Sequence, residues 1–259
     1  MNEYEKKVLD TAVVAGHILL ENGAEISRVE ETMERITKAY GVESGNYFVL
    51  SSGIFTTAGS ELNDGFAKVK YIPLSSARLN KVIAVNQLSR EIAEGKYTVD
   101  EARNGLEMIQ NMEGKTKFSQ ILAAAVGSGC FCSLFGGDII DSVTAFLVGF
   151  LLYIFVLYVS APYLSKIVAN LSGGALVSIL AILLYQLGLG HNFQYVIIGS
   201  IIPLIPGMSF TNGIRDIANG DYLAGFVRML DALLITFSAA MGVGVVLGIY
   251  NQITGGVLL

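Results

Sequence analysis

The charged residues of this chain are crowded into its first part. Of 39 Lys, Arg, Asp and Glu residues, 31 lie in positions 1–117 and only 8 in the 142 residues that follow. So long a stretch with so few charges cannot present an ordinary water-facing surface. The chain is therefore read as an α+β N-terminal cytoplasmic domain over 1–117, followed by an all-α transmembrane bundle of about five helices over 118–259. The net charge of -5 divides into -3 and -2, so neither part offers the basic surface that nucleic acid requires, and no nucleic-acid partner is expected.

Within the first part, Val8, Ala12, Ala15 and Leu19 recur at helical spacing until Asn22-Gly23 stops the helix. This start reads as a helix and not as a signal peptide. Ser27 with Glu30 reads as a capping box opening a second helix, whose apolar face carries Val29, Met33, Ile36 and Tyr40. Between Tyr47 and Pro73 the pattern becomes β-branched and aromatic, and Asn63-Asp64-Gly65 is a hairpin signal, so two to four antiparallel strands are expected. Helices around Leu79–Ile92 and after Thr98, the latter capped with Glu101, complete this part. No phosphate loop, H-E-x-x-H or G-x-S-x-G motif occurs. The charges of ENGAEISRVEETMERI are read as helix-surface pairing and capping, and His17 as a packing residue. No catalytic residue, metal or cofactor is expected.

The second part contains five apolar segments, 118–135, 139–160, 167–189, 193–214 and 229–250. Each is long enough to cross a hydrocarbon layer of roughly 30 Å at about 1.5 Å per residue. Lys115, Lys117, Lys166, Arg215 and Arg228 fall in alternate connections, which puts the N-terminal domain inside the cell and the C-terminus outside. Cys130 and Cys132, about 200° apart on a helix, cannot pair and read as small membrane residues. Ala123-x-x-x-Gly127, Gly173-Gly174 and Ala240-x-x-x-Gly244-x-x-x-Gly248 offer close helix approach and leave room for another subunit, whether a different protein or a second copy. Membrane lipid is the remaining partner.

The stretch IIPLIPGMSFTNGIRD should break its helix, because Pro203 and Pro206 lack an N–H and leave the carbonyls of Gly199 and Ile202 without their usual partners. A broken helix at membrane depth can line a solute site, and Ser209, Thr211, Asn212 and Arg215 beyond it are suitable groups for a carboxylate; a plain proline kink is the alternative. Asp141 and Asp231 are the weaker candidates for proton coupling, with interfacial solvation as the plainer reading.

The combination of NGAEISRVEETMERI, the strand-rich VLSSGIFTT, a helix containing Arg78 and PLIPGMSFTNGIRDIANGDYLAGFVRMLDALL resembles the threonine/serine exporter family over nearly the whole chain. The resemblance marks Pro203, Pro206, Gly207, Asn212 and Asp216 as motif positions and implies efflux of small hydroxy amino acids or dicarboxylates. Family members carry a soluble domain and about ten spans. Five spans resemble the split branch, implicated in succinate export, in which a second small membrane protein supplies the remainder. A membrane-anchored hydrolase and a metabolite sensor, each with the N-terminal domain as its active part, are the competing readings.

Overall fold

The computed structural model describes residues 2–42, 45–58, 66–72, 78–160 and 163–255. They form two compact units between which the chain passes more than once: Met1–Gly114 with Met208–Leu230, and Lys115–Gly207 with Asp231–Leu259.

In the first unit, α1 (Glu3–Glu21) opens with a capping box, in which Asn2 accepts from the Glu5 N–H at 2.7 Å and Glu5 accepts from the Asn2 N–H at 2.9 Å. It ends at Asn22, and Gly23 then adopts φ 83°, a left-handed conformation that glycine takes at no steric cost. Helix α2 (Ile26–Ala39) packs closely on α1: a Cβ on Gly16 would lie 2.4 Å from the Met33 sulfur. Strands β1 (Gly45–Leu50), β2 (Gly53–Ala58) and β3 (Phe66–Tyr71) form an antiparallel sheet in the order β1-β2-β3. Its register sets Phe48 opposite Phe55 and Phe55 opposite Val69. The alternation of a pleated strand turns Val49 and Ile54 into the core while Phe48, Phe55 and Val69 stay exposed. The expected Asn63-Asp64-Gly65 turn lies outside the described residues.

Helices α3 (Leu79–Ala93) and α4 (Val99–Gln110) follow. The Thr98–Glu101 capping box forms as the spacing predicts, and Val82, Val85, Ile92, Ala102 and Leu106 join Ile18, Leu19, Met33, Ile36 and Ile54 in one core. Fully burying a side chain of this size contributes about 1.5–3 kcal/mol. Ala224, far along the chain, belongs to the same core.

The capping box expected at Ser27 is not formed. Helix α2 starts earlier, at Ile26, its N-cap Glu25 makes no side-chain cap, and Ser27 sits inside the first turn.

The second unit holds α5 (Lys117–Leu134), α6 (Ile139–Phe155), which runs into a π-turn at Val156–Ser160, α7 (Lys166–Gln186) and α8 (Phe193–Ile201). After α8 come α9 (Gly207–Ala218) and α10 (Tyr222–Ile253), which contribute to both units. Among the described residues, four helices are long and apolar enough to cross a membrane, and the bent pair Phe193–Leu204 with Gly207–Ala218 makes up to five.

Small residues set the helix packing. A Cβ on Gly242 would lie 2.0 Å from the Leu171 carbonyl, one on Gly174 2.2 Å from the Ala239 carbonyl, and one on Gly199 2.7 Å from the Cys132 N–H nitrogen. Gly174 thus packs tightly, but the Ala240-Gly244-Gly248 face does not: an added Cβ at Gly244 or Gly248 meets nothing within 4 Å, and the neighbouring face, with Ala239 and Gly242, makes the contact. Cys130 and Cys132 are both free thiols.

Candidate functional site

The loop between α1 and α2 is short. The N–H groups of Asn22, Gly23 and Ala24 bond back to α1, to the carbonyls of Ile18, Leu20 and Leu19 at 3.2, 3.1 and 3.0 Å, while its carbonyls are met by groups from elsewhere. The Asn22 carbonyl accepts from the Arg78 N–H at 3.2 Å. Asn212 Nδ2 donates to the Gly23 carbonyl at 2.7 Å, and Arg228 Nη2 donates to the Ala24 carbonyl at 2.8 Å. The Ile26 N–H, at the uncapped start of α2, donates to Asp216 Oδ1 at 3.1 Å, so a carboxylate 190 residues away does the work expected of Ser27.

Asp216 Oδ2 also accepts from Arg228 Nη1 at 2.8 Å, with the two side chains only 0% and 5% exposed. Arg215 pairs with Glu25, and Asn219 Nδ2 donates to Ser27 Oγ at 3.2 Å. Asn212 and Asp216 stand at i and i+4 on one face of α9, and Asn219 follows just past its C-terminal end. The facing helix comes close because Gly213 and Gly225 meet: a Cβ on Gly225 would lie 2.7 Å from the Gly213 carbonyl.

Arg228 changes role in consequence. The sequence pattern treats it as a loop cation, whereas the structure has it inside α10, 4% exposed and paired. Helix α10 begins at Tyr222, after the Gly220 turn at φ 94°, and so takes Arg228 into its second turn.

The expected helix break is present. Helix α8 gives way to a 3-10 turn at Ile202–Leu204, Ile205 is extended at φ -74°, ψ 125°, as a residue before proline prefers, and α9 begins at Gly207. The Ile202 carbonyl is not left without a partner, because the tighter turn lets it accept from the Ile205 N–H at 3.0 Å. Pro203, Pro206 and Ser209 are half-buried, and Gly207 and Thr211 are exposed. Of the sequence-derived site residues, Asn212, Arg215 and Asp216 are gathered on the α1–α2 loop.

Asp141 is 2% exposed, so interfacial solvation does not describe it. Its Oδ1 accepts from the His191 N–H at 2.7 Å and the Asn192 N–H at 3.0 Å. Asp138 is the N-cap of α6 and pairs with the His191 ring. Bonds from backbone N–H groups, and then the His191 contact, hold the Asp138 carboxyl below its ordinary value, and the carboxylate raises His191 above its own. Asp231 pairs with Lys166 at 3.0 Å.

On α2 the pairs Glu31–Arg35 and Glu34–Lys38 form at i, i+4, as surface pairing predicts, while Glu30 accepts from the Val49 N–H at 3.2 Å. His17 is mostly buried, 3.6 Å from Glu21, and its Nδ1 has no hydrogen-bond partner among the described residues. Burial, and then the positive charge of Lys70, lowers its pKa.

Comparison with known proteins gives one consistent picture. The profile of the ThrE family, described as "Putative threonine/serine exporter", matches residues 10–250. The "Threonine/serine exporter" of Corynebacterium glutamicum is 23% identical over 244 residues, 92% of this chain and 50% of that protein. The "Probable succinate transporter subunit YjjP" of Escherichia coli K12 is 25% identical over 270 residues, 96% of this chain and 97% of that protein. Its namesake in Klebsiella aerogenes is 25% identical over 87% of each chain. The chain thus spans about half the length of the Corynebacterium protein and nearly all of the Escherichia one. No solved structure matches.

Proposed function

Since the chain belongs to the threonine/serine exporter family, we propose that it is one subunit of a secondary exporter for small carboxylate metabolites: threonine, serine or a dicarboxylate such as succinate. The observation that carries this reading is the helix broken by Pro203 and Pro206 within an otherwise apolar segment. An anchor for a soluble domain has no use for such a break, whereas irregular backbone at membrane depth suits a solute path.

In this reading Pro203, Pro206 and Gly207 shape the break and Ser209 and Thr211 stand beside the path. Asn212, Arg215 and Asp216 act by holding the α1–α2 loop on α9. Asp141 and Asp231 carry the proton-coupling proposal: Asp231 is paired with Lys166, and Asp141 Oδ1 holds the two backbone N–H groups of His191 and Asn192. A second small membrane protein completes the transporter, in keeping with a relative of nearly equal length that is named a subunit and one of double length that is named an exporter. The N-terminal unit faces the cytoplasm of a bacterial inner membrane and the C-terminus lies outside, as the positions of Lys115, Lys117 and Lys166 favour.

Metabolite profiling of a deletion strain tests the reading. Threonine, serine or succinate should accumulate inside and fall outside, and complementation with Pro206→Ala should restore membrane abundance but not full efflux. Normal efflux of all three in the deletion strain would overturn it.

A further inference from the structure

A groove-like cavity of about 360 Å³, open along one side, lies in the second unit against the 3-10 turn of the broken helix. Taking about 30 Å³ per water, it has room for roughly a dozen waters, or one small metabolite with a few waters beside it. Gln120, Gly127, Tyr153, Ile202 and Pro203 line it.

Gly127 is one of its walls. A glycine inside a helix costs about 0.5–1 kcal/mol relative to alanine. At Gly174, Gly199 and Gly242 close helix packing requires it, because an added Cβ would strike backbone. At Gly127 an added Cβ would meet nothing within 4 Å. What glycine provides there is open space.

The polar groups are ordered along α5 and α6. Tyr153 Oη lies 3.5 Å from Gln120 Oε1, at the limit of a hydrogen bond, while Gln120 Nε2 donates to the Lys115 carbonyl at 2.8 Å. Tyr153 is therefore held near the cavity with a hydroxyl that is only loosely engaged. Lys117 lies three residues before Gln120 on the same face of α5, its ammonium 4.6 Å from the centre of the Tyr158 ring. Tyr158 follows Tyr153 by five residues and sits in the π-turn that continues α6. The result is two rungs: a cation at Lys117–Tyr158, and a neutral hydrogen-bonding pair at Gln120–Tyr153 beside the cavity.

We propose that this cavity binds the exported solute, and that the solute is a short carboxylate with a second polar group: the carboxylate lies toward Lys117, the second group bonds to Tyr153 and Gln120, and the aliphatic body rests against Gly127, Ile202 and Pro203. The inference rests on the exporter reading and moves the solute contacts to the α8 side of the break. Tyr153 and Gln120 select for the second polar group, and Gly127 sets the size limit.

The test uses the full chain in the deletion strain, with labelled threonine, serine and succinate as probes. Gly127→Leu, which fills the cavity, should lower efflux at least tenfold. Tyr153→Phe, which removes one hydroxyl, should raise the half-saturating internal concentration of the transported probe by about two- to tenfold. Lys117→Gln should weaken export, and membrane abundance should be unchanged in all three. If the deletion strain is defective but Gly127→Leu and Tyr153→Phe both export within twofold of wild type, the cavity assignment is overturned and the exporter reading stands. If the deletion strain exports all three probes normally, the exporter reading fails first. Should Gly127→Leu not reach the membrane, the single-oxygen change in Tyr153→Phe decides alone.

Discussion

The buried pair of Asp216 and Arg228 should behave as a strongly coupled unit. With the side chains 0% and 5% exposed, removing one partner leaves the other charge with a single hydrogen bond: Asp216 with the Ile26 N–H, or Arg228 with the Ala24 carbonyl. Breaking a buried pair in this way costs about 3–5 kcal/mol. Arg228→Met and Asp216→Leu are each expected to lose that amount. The double variant removes both charges and leaves only the Ile26 N–H and the Ala24 carbonyl uncovered, at about 1–3 kcal/mol for each group left without a partner. Its loss should therefore fall short of the sum of the two singles by about 2 kcal/mol or more, which is the coupling energy of a double-mutant cycle. Denaturant titration of the detergent-solubilised full-length protein, followed by the circular dichroism of its helices, measures all four corners. If either single variant costs under about 1 kcal/mol, or if the two effects simply add, the pair is not what holds the α1–α2 loop.

Two further outcomes follow from the geometry. The chain has two histidines, and they should titrate on opposite sides of the ordinary value of 6.5: His17 below it through burial and Lys70, His191 above it through Asp138. Stability from the His191–Asp138 pair is then complete between about pH 3.8 and 6.5, lost upward as pH passes the raised His191 value and lost downward as it passes the depressed Asp138 value. Ring-proton NMR of the two histidines, repeated with Asp138→Asn, checks this, and a His191 midpoint unmoved by that change would refute it. Gly242→Leu should strongly reduce thermal stability, because its side chain would run into the Leu171 backbone, whereas Gly244→Leu should stay within about 0.5 kcal/mol of wild type. Equal damage from both would show that helix approach is not centred on Gly242.

Those elements whose cause is local were legible from sequence. The Thr98–Glu101 box, the Gly23 stop and the helix break at Pro203–Pro206 each depend on residues within a turn of one another. The capping of α2 was not legible, because Asp216 reaches Ile26 across 190 residues and a local Ser27–Glu30 pattern offered a plausible substitute. Arg228 was misread for a related reason. A cation beside an apolar run fits a membrane-edge anchor, and only the third dimension supplies its carboxylate. The hint in the sequence was Asp216 itself, an acid in the short connection between two apolar segments that also holds Arg228. For the cavity the sequence offered the small residues of α5 but not their meaning, since the Ala123–Gly127 spacing reads equally as a packing face, and only the empty space above Gly127 separates the two.

The distant capping of α2 also sets a schedule for biosynthesis. Ala24 and Arg228 are 204 residues apart, and at about 5–20 residues per second a ribosome takes roughly 10–40 s to make what lies between them. During that interval α1, α2 and the sheet are already outside the ribosome, with the start of α2 uncovered and the place of Ala224 in the core vacant. The N-terminal unit can finish folding only after α9 and the first turns of α10 have been delivered. Its completion therefore reports that the intervening helices have been made and that the chain has returned with α9 and α10 on the side where the N-terminal unit waits.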